Sequence, residues 1–440
     1  MEDGLFSKIR NGIKDMCYIW AKEMRSTITD EGVLIFFILV PLLYPLLYSW
    51  IYNNEVVRDV PVAIVDQSHS QISREFIRSF DAGSDVKAAY YCNSIEEAKD
   101  LIGKQVVHGL LYFPDDFAHK LYRGEQAHVG VYCDMSLMLT YKAIYQTALA
   151  VASDINANIQ VSQSRNFTTR DEEITTKPLD FEEVPIFNAT GGYGNAILPG
   201  VLILILQQTL LLGIGLSAGT ARENNRYQEL IPISKHYVGI FRIVLGKSMC
   251  YFMIYAVMAA YLTLCVPRFF HFTALASATD LIGLMIPFLL AVIFFGMALS
   301  CIVRYRENVM LLVVFTSIPL LFMTGISWPQ PNMPGIWQSI AQIFPSTFGV
   351  RGFLRISSMG GTLDDIEPEF IALWLQAVIY FFITCAVYRY QINRTRRQAY
   401  DRMAMLKAKA ATAKENRMLK AAKKTTPTAT EGKEMSPTDE

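Results

Sequence analysis

Ala196–Gly219 reads AILPGVLILILQQTLLLGIGLSAG, twenty-four residues without a single Lys, Arg, Asp or Glu. A helix needs about 20 apolar residues to cross the hydrocarbon of a bilayer, so this stretch is long enough to span one. Five further runs have the same character: Val33–Tyr52, Ser248–Val266, Leu281–Val303, Val309–Trp328 and Phe370–Tyr388. Internal prolines at 41, 45, 199 and 287 do not argue against spans, because neighbouring helices in a bundle satisfy the freed backbone groups. The 440-residue chain is 52% hydrophobic and 18% charged, with a mean hydropathy of +0.25. These values describe a polytopic membrane protein and exclude an ordinary soluble domain.

Net charge is zero, so the information lies in its distribution. Lys and Arg gather before the first run (Lys8, Arg10, Lys14, Lys22, Arg25), between the second and third (Arg222, Arg226, Lys235, Arg242, Lys247), between the fourth and fifth (Arg304, Arg306), and after the sixth. The intervening short loops hold only Arg268, or Arg351 and Arg355. Basic loops stay inside, which predicts both termini in the cytoplasm and residues 53–195 outside. The first run is too long for a cleaved signal and lacks a small-residue cleavage site, so it reads as an uncleaved signal anchor.

Within residues 1–32, apolar positions recur at Leu5, Ile9, Ile13, Met16, Trp20 and Met24. That stripe predicts an amphipathic helix, interfacial on the inner leaflet or packed on the cytoplasmic face of the bundle. After the run 33–52, residues 53–195 alternate strand-like and helix-like segments. VPVAIVDQ, VKAAYYC, VHGLLYFP and AHVGVYCD alternate with SQISREFIRSFDA, SIEEAKDLIGKQ, DDFAHKLYRGE and a long helical stretch from about Leu137 to Asn158. The pattern predicts an inserted α/β domain. Ser94 with Glu97 predicts a capping box. Asp115 and Asp116 suit a helix start better than a metal site with His119, because no further ligand has the spacing. Residues 165–190, polar and punctuated by Pro, predict an extended return to the membrane. Residues 391–440 form a basic tail, helical at first, with a disordered end at TTPTATEGKEMSPTDE. Its basic part reads as a solvated inner flank rather than a site for anionic lipid or nucleic acid. Of seven Cys, Cys92 and Cys133 fall in the outer domain, where either a disulfide or two buried thiols is compatible with the sequence.

LGKS at Leu245–Ser248 imitates the end of a phosphate-binding loop, but the first glycine of that motif falls on Phe241 and no strand precedes it. The chain therefore offers no ATP site and no catalytic or metal cluster. No span contains an ionisable residue, which argues against ion-coupled transport and intramembrane catalysis. The polar pair Gln207–Gln208 lies mid-span in the second run, as helix glue or as pathway lining.

The charged segment that follows, ARENNRYQELIPIS at 221–234, predicts a short inward-facing helix stopped by Pro232. Its placement resembles the coupling helix in permease subunits of type-2 ABC exporters, through Arg222, Glu223, Glu229, Leu230 and Pro232, with Gly246–Lys247 opening the next span; the Gly-Thr common in that segment is missing here. The stretch MTGISWPQPNMPGIWQSIAQIFPSTFGVRGFLR resembles the same family's outer signature, at Gly325, Pro329, Met333, Pro334, Trp337, Pro345, Thr347 and Arg351. The resemblance covers nearly the whole chain and extends to the order of one span, a large outer domain, then five spans. It implies a six-helix bundle (residues 196–390 holding spans 2–6), a re-entrant outer segment at 329–367, and an exporter permease of the inner membrane. It also implies a separate ATP-binding subunit carrying ATP and Mg, a second permease subunit, and a periplasmic adaptor as a further candidate partner. The rival expectation is a membrane receptor with an outer ligand-binding domain.

Overall fold

The computed structural model describes residues 5–53, 56–163, 168–177, 186–188, 191–223, 239–301 and 305–424. Its element order begins with α1 (Leu5–Thr29) and a first span built from α2 (Glu31–Leu34), a π-helical turn and α3 (Val40–Tyr52). The strands β1 (Val60–Asp66), β2 (Val86–Tyr91), β3 (Gly109–Phe113) and β4 (Gly130–Cys133) then alternate with α4 (Gln71–Asp81), α5 (Ile95–Gly103) and α6 (Phe117–Tyr122). After them come α7 (Met138–Gln163) and α8 (Thr169–Thr176). The remaining helices are α9 (Tyr193–Glu223), α10 (Ile240–Ala260), α11 (Val266–Phe269), α12 (Ala278–Ser300), α13 (Arg306–Met323), α14 (Gly335–Ala341), α15 (Pro345–Ser357) and α16 (Glu367–Lys424).

Six stretches are long and apolar enough to cross a membrane: Glu31–Tyr52, Gly194–Ala221, Ile240–Phe269, Ala278–Ser300, Arg306–Met323 and Asp364–Arg394. They fall on the six expected runs. The first begins two residues early because Asp30 caps it, its Oδ1 accepting from the backbone N–H of Gly32 and Val33 at 3.1 and 3.3 Å. Ser277 caps the fourth in the same way, through the N–H of Asp280 at 3.2 Å.

The chain divides into two compact units. The helical unit comprises residues 1–45, 200–266 and 275–440. Its central helix is α9, whose span is 89% buried, whereas α13 is only 22% buried. Phe37 of the first span, Val309 of α13 and Gly296 of α12 all close on α9, and α12 packs in turn on α10, α15 and α16. The outward face of α13 presents Leu311, Val314, Phe315 and Ile318, the composition expected of a surface in contact with lipid.

The other unit comprises residues 46–199 and 267–274 and holds the α/β fold. Its sheet order is β2-β1-β3-β4, with β1 parallel to both neighbours and β4 antiparallel to β3. A strand covered on both faces reads as a continuous apolar run, and β1 is buried at Val60, Val62, Ala63, Ile64 and Val65. One face packs Val62, Ile64 and Phe113 against Phe76 and Phe80 of α4 and Ile144 of α7. The other packs Ala63, Val65 and Leu110 against Ala98 of α5. Cys92 belongs to this second core and Cys133 packs against the first, so the two thiols lie on opposite faces of the sheet and both are free. Burial raises both, Cys133 to about 11; for Cys92 the nearby Glu97 charge adds to it.

Three local expectations are refined. The residues expected as an extended return include the helix α8, because Thr168 accepts from the N–H of Asp171 at 3.2 Å and acids occupy the first turn. Ser94 does cap α5, but Glu97 reaches the N–H of Asn93 rather than that of Ser94. A complete box forms instead at Ser70 and Ser73, each hydroxyl accepting from the backbone N–H of the other. Asp116 starts α6 without a side-chain cap and pairs with Lys120 at 2.5 Å. The terminal segment 425–440 lies outside the described residues.

Candidate functional site: a clasped helix end and a signature segment

The α1 helix turns acids toward the bundle beside the expected apolar stripe, whose Met16, Trp20 and Met24 are half-buried. Asp15, Ile19 and Thr27 are buried while Ile13 and Tyr18 are exposed. At 100° per residue, Asp15 and Glu23 lie about 80° apart on α1, and Asp30 follows the last residue of that helix. Each meets a cation from a distant span: Asp15 pairs with Arg242 at 2.8 Å, Glu23 with Lys247 at 2.9 Å, and Asp30 with Arg306 at 3.1 Å. Lys247, the lysine of LGKS, thus has a carboxylate partner instead of a phosphate.

The middle pair is the most enclosed, with side chains 12% (Glu23) and 15% (Lys247) exposed. Glu23 also accepts from the hydroxyl of Tyr251 and, at 3.4 Å, from Ser217 near the end of α9. Burial pushes the Glu23 carboxyl up, but the Lys247 charge and the Tyr251 hydroxyl outweigh this and hold it below its ordinary value. Asp30 is also held low: burial again pushes up, and the Thr220 hydroxyl, the Val33 N–H and Arg306 prevail. Ser217 and Thr220 belong to the last turns of α9, so α1 clasps that end and joins it to α10 and α13.

Immediately beyond lies the segment 221–234. Arg222 and Glu223 are the last residues of α9, so the segment begins as a continuation of the span. Glu229, Leu230 and Pro232 lie outside the described residues. The acids of α1 escaped sequence reasoning, which attended to apolar and basic positions. The only local signal was their spacing of eight and seven residues.

Mid-span, Gln207 is fully buried, and neither its amide nor that of Gln208 has a hydrogen-bond partner among the described residues. Tyr255 on α10 is equally buried, with its hydroxyl beside Thr209.

The signature residues build one connected structure between α13 and α16. Gly325 ends α13 with φ +91°, a conformation suited to glycine. Pro329 opens a 3-10 turn and Pro334 precedes α14. Gln338 fastens this turn by donating to the carbonyls of Gln330 and Met333 at 3.0 and 2.9 Å. Pro345 starts α15 at a position where its missing N–H costs nothing, and Thr347 donates to the Ala341 carbonyl at 2.6 Å, binding α15 to α14. Gly349 lets α15 press on Phe288 of α12, since a Cβ there would collide with the ring. Arg351 stacks 5.5 Å from the Phe348 ring centre, and Arg355 pairs with the buried Glu369 at 3.3 Å. Met333 and Trp337 sit at or near the surface, Trp337 being 53% exposed. The prolines and Gly325 thus shape the backbone, while Thr347 and Gly349 dock it.

Six apolar spans with polar contacts concentrated at helix ends define a multi-pass membrane protein. The family model described as ABC-2 family transporter protein matches residues 32–386, and the chain belongs to that family. It is similar to a probable multidrug ABC transporter permease, YbhR of Escherichia coli K12, at 22% identity over 81% of this chain and 93% of the relative. Similarity also extends to the linearmycin resistance permease protein LnrN of Bacillus subtilis 168, at 23% identity over 73% of this chain and 86% of the relative. The inner membrane transport permease YhhJ of Escherichia coli K12 is 22% identical over 86% of this chain and 97% of its own length. Family membership makes the chain a transporter permease of the inner membrane and implies an ATP-binding ABC subunit as partner.

Proposed function

We propose that this chain is the membrane-spanning subunit of an ABC exporter, with both termini and the segment 221–234 in the cytoplasm and the α/β domain outside. The observation that carries the reading is the clasp. Residues 221–234 follow directly on the turn of α9 whose Ser217 and Thr220 meet Glu23 and Asp30, and those acids pair with Lys247, two turns into α10, and with Arg306, the first residue of α13. A soluble subunit pressing on 221–234 would therefore move several helices as one body, the rigid-element shift such transporters use. The buried amides of Gln207 and Gln208, without partners among the described residues, are the polar groups that hold the helices together or that a rearrangement of the spans opens to the pathway. Residues 329–367 form the outer, re-entrant mouth. YbhR and LnrN carry names that point to drugs and to linearmycin, and we extend to this chain an amphiphilic substrate leaving the cytoplasm or inner leaflet.

Single cysteines in an otherwise Cys-free chain test the arrangement. Probes at Ser68 and Gly361 should react with an impermeant maleimide in intact cells, and probes at Asn225 and Ala411 should react only after permeabilisation. Outside labelling at Asn225 would overturn both the orientation and the coupling role.

A further inference from the structure

The α/β domain contains a polar cavity that the transport reading does not use. It lies at the carboxyl ends of the parallel strands β1 and β2, beside α4, and has a volume of about 450 Å³. The crevice outside the carboxyl ends of parallel strands is where open α/β sheets take their ligands. A volume of this size is within the range of about 300–1,000 Å³ found for small-molecule sites. Part of the wall is apolar, formed by the buried Ile64, Ile77 and Cys92.

The rest of the wall is polar, and its charge is positive. Asp66, the last residue of β1, is the only acid in the lining, and the turn that leads into α4 occupies both of its oxygens. Oδ1 accepts from the backbone N–H of Ser68 and His69 at 3.1 and 3.0 Å, and Oδ2 accepts from the Ser73 hydroxyl at 2.7 Å. Arg74 and Arg78 stand four residues apart, which puts them on one face of α4. Neither has a carboxylate partner among the described residues: Arg74 gives one N–H to the His69 carbonyl at 3.0 Å, and Arg78 gives none. Like charges at this spacing destabilise a helix, and an anion between them would remove the repulsion. Gln67 accepts from the Tyr112 hydroxyl at 2.9 Å through its Oε1, so its amide N–H groups remain to donate into the same space.

We propose that this cavity binds a small organic acid, with its carboxylate on Arg74 and Arg78 and its apolar body against Ile64, Ile77 and Cys92. Guanidinium groups match a carboxylate through two parallel N–H···O bonds. An inorganic anion satisfies the arginines but leaves the apolar wall in water. A neutral solute covers that wall but leaves both charges unmatched. An acid with an apolar body meets both halves of the lining. The inference depends on the α/β domain alone and not on the transport cycle, so its failure would leave the permease reading untouched.

The test uses the full chain in lipid nanodiscs with para-trifluoromethylbenzoate as the probe, followed by fluorine NMR line broadening. Empty nanodiscs correct for uptake by lipid. The probe should bind saturably with a Kd on the order of 1 mM, as expected for a ligand of its size. Its neutral isostere, para-trifluoromethylbenzamide, should bind about tenfold more weakly. Unlabelled benzoate should displace the probe, and inorganic phosphate at the same concentration should not. Arg78→Gln, which removes no hydrogen bond of the domain, should weaken binding about tenfold, and Arg74→Gln together with Arg78→Gln should abolish it. Arg123→Gln, an exposed position outside the cavity, should change nothing. The proposal is overturned if no saturable binding exceeds that of empty nanodiscs, or if the amide binds as well as the acid. It is equally overturned if phosphate displaces the probe as fully as benzoate does, or if the double substitution leaves binding unchanged.

Discussion

Replacing Glu23 by Gln removes one charge from the enclosed pair while leaving an acceptor for Tyr251 and Ser217. Both partners are about seven-eighths buried, so Lys247 would be left charged without its carboxylate. Breaking a buried pair from one side costs about 3–5 kcal/mol. The residual exposure of Lys247 lets its ammonium reach some water, which favours the lower end, about 3 kcal/mol. Lys247→Met should cost a similar amount by stranding Glu23. The double variant, having no orphan charge, should regain much of the loss, with a coupling energy of about 2 kcal/mol. Graded SDS unfolding in mixed micelles, followed by tryptophan fluorescence, measures all four corners of that cycle. A coupling energy under about 0.5 kcal/mol, the size of an exposed pair, would refute the clasp as an energetic link. Refutation would also follow if the double variant were as unstable as the sum of the singles.

Reversing charge in the segment beyond the clasp, with Glu223 and Glu229 both changed to Lys, should leave insertion intact but weaken docking of an ATP-binding subunit. Like-charge contact at an interface costs several kcal/mol; co-purified ATPase activity reads the loss, and Glu96→Lys with Glu97→Lys on the α/β domain is the control that should change nothing. Gly349→Leu drives a side chain into Phe288 and should destabilise by about 1–3 kcal/mol, measured in the same unfolding assay, whereas Gly335→Ala, which meets nothing within 4 Å, should be close to neutral. Both Glu23 and Asp30 have their carboxyls lowered, so their contribution is complete above the unfolded values of about 4.3 and 3.9 and is lost as pH falls through the folded values. Stability should therefore show no loss from these two acids between about pH 6 and 8 and decline below about 4, with a smaller decline in Glu23→Gln.

The spans were legible because composition over about 20 residues decides whether a helix can enter lipid, and no later contact reverses that. The α/β alternation was legible for a related reason: Val60–Asp66 and Gly109–Phe113 are too short and too apolar for helices, and the cap at Ser94 marks one of the helices between. Apolar periodicity was less informative on α1. Lipid and bundle interior both accept apolar side chains, so the stripe through Ile13 did not reveal which face packs. The clasp was out of reach, since its pairs join residues 15 with 242, 23 with 247, and 30 with 306, and an acid carries no local sign of a partner two hundred positions away. The signature segment was recognised as a pattern, but its mechanics came from geometry: Thr347 bonding back to Ala341 and Gly349 admitting Phe288 depend on a fold that spacing alone does not supply.

The central claim is that this permease works with a separate ATP-binding subunit held at the clasped end. Its most direct measurement is purification of the tagged chain from its native membrane in a mild detergent, with mass spectrometry of what accompanies it and an ATPase assay of the eluate. The account predicts an ABC-type ATP-binding protein in near-stoichiometric amount, ATPase activity in the complex, and loss of both on charge reversal at Glu223 and Glu229. Recovery of a stable chain that carries no ATP-binding partner, or that binds ATP by itself, would contradict it.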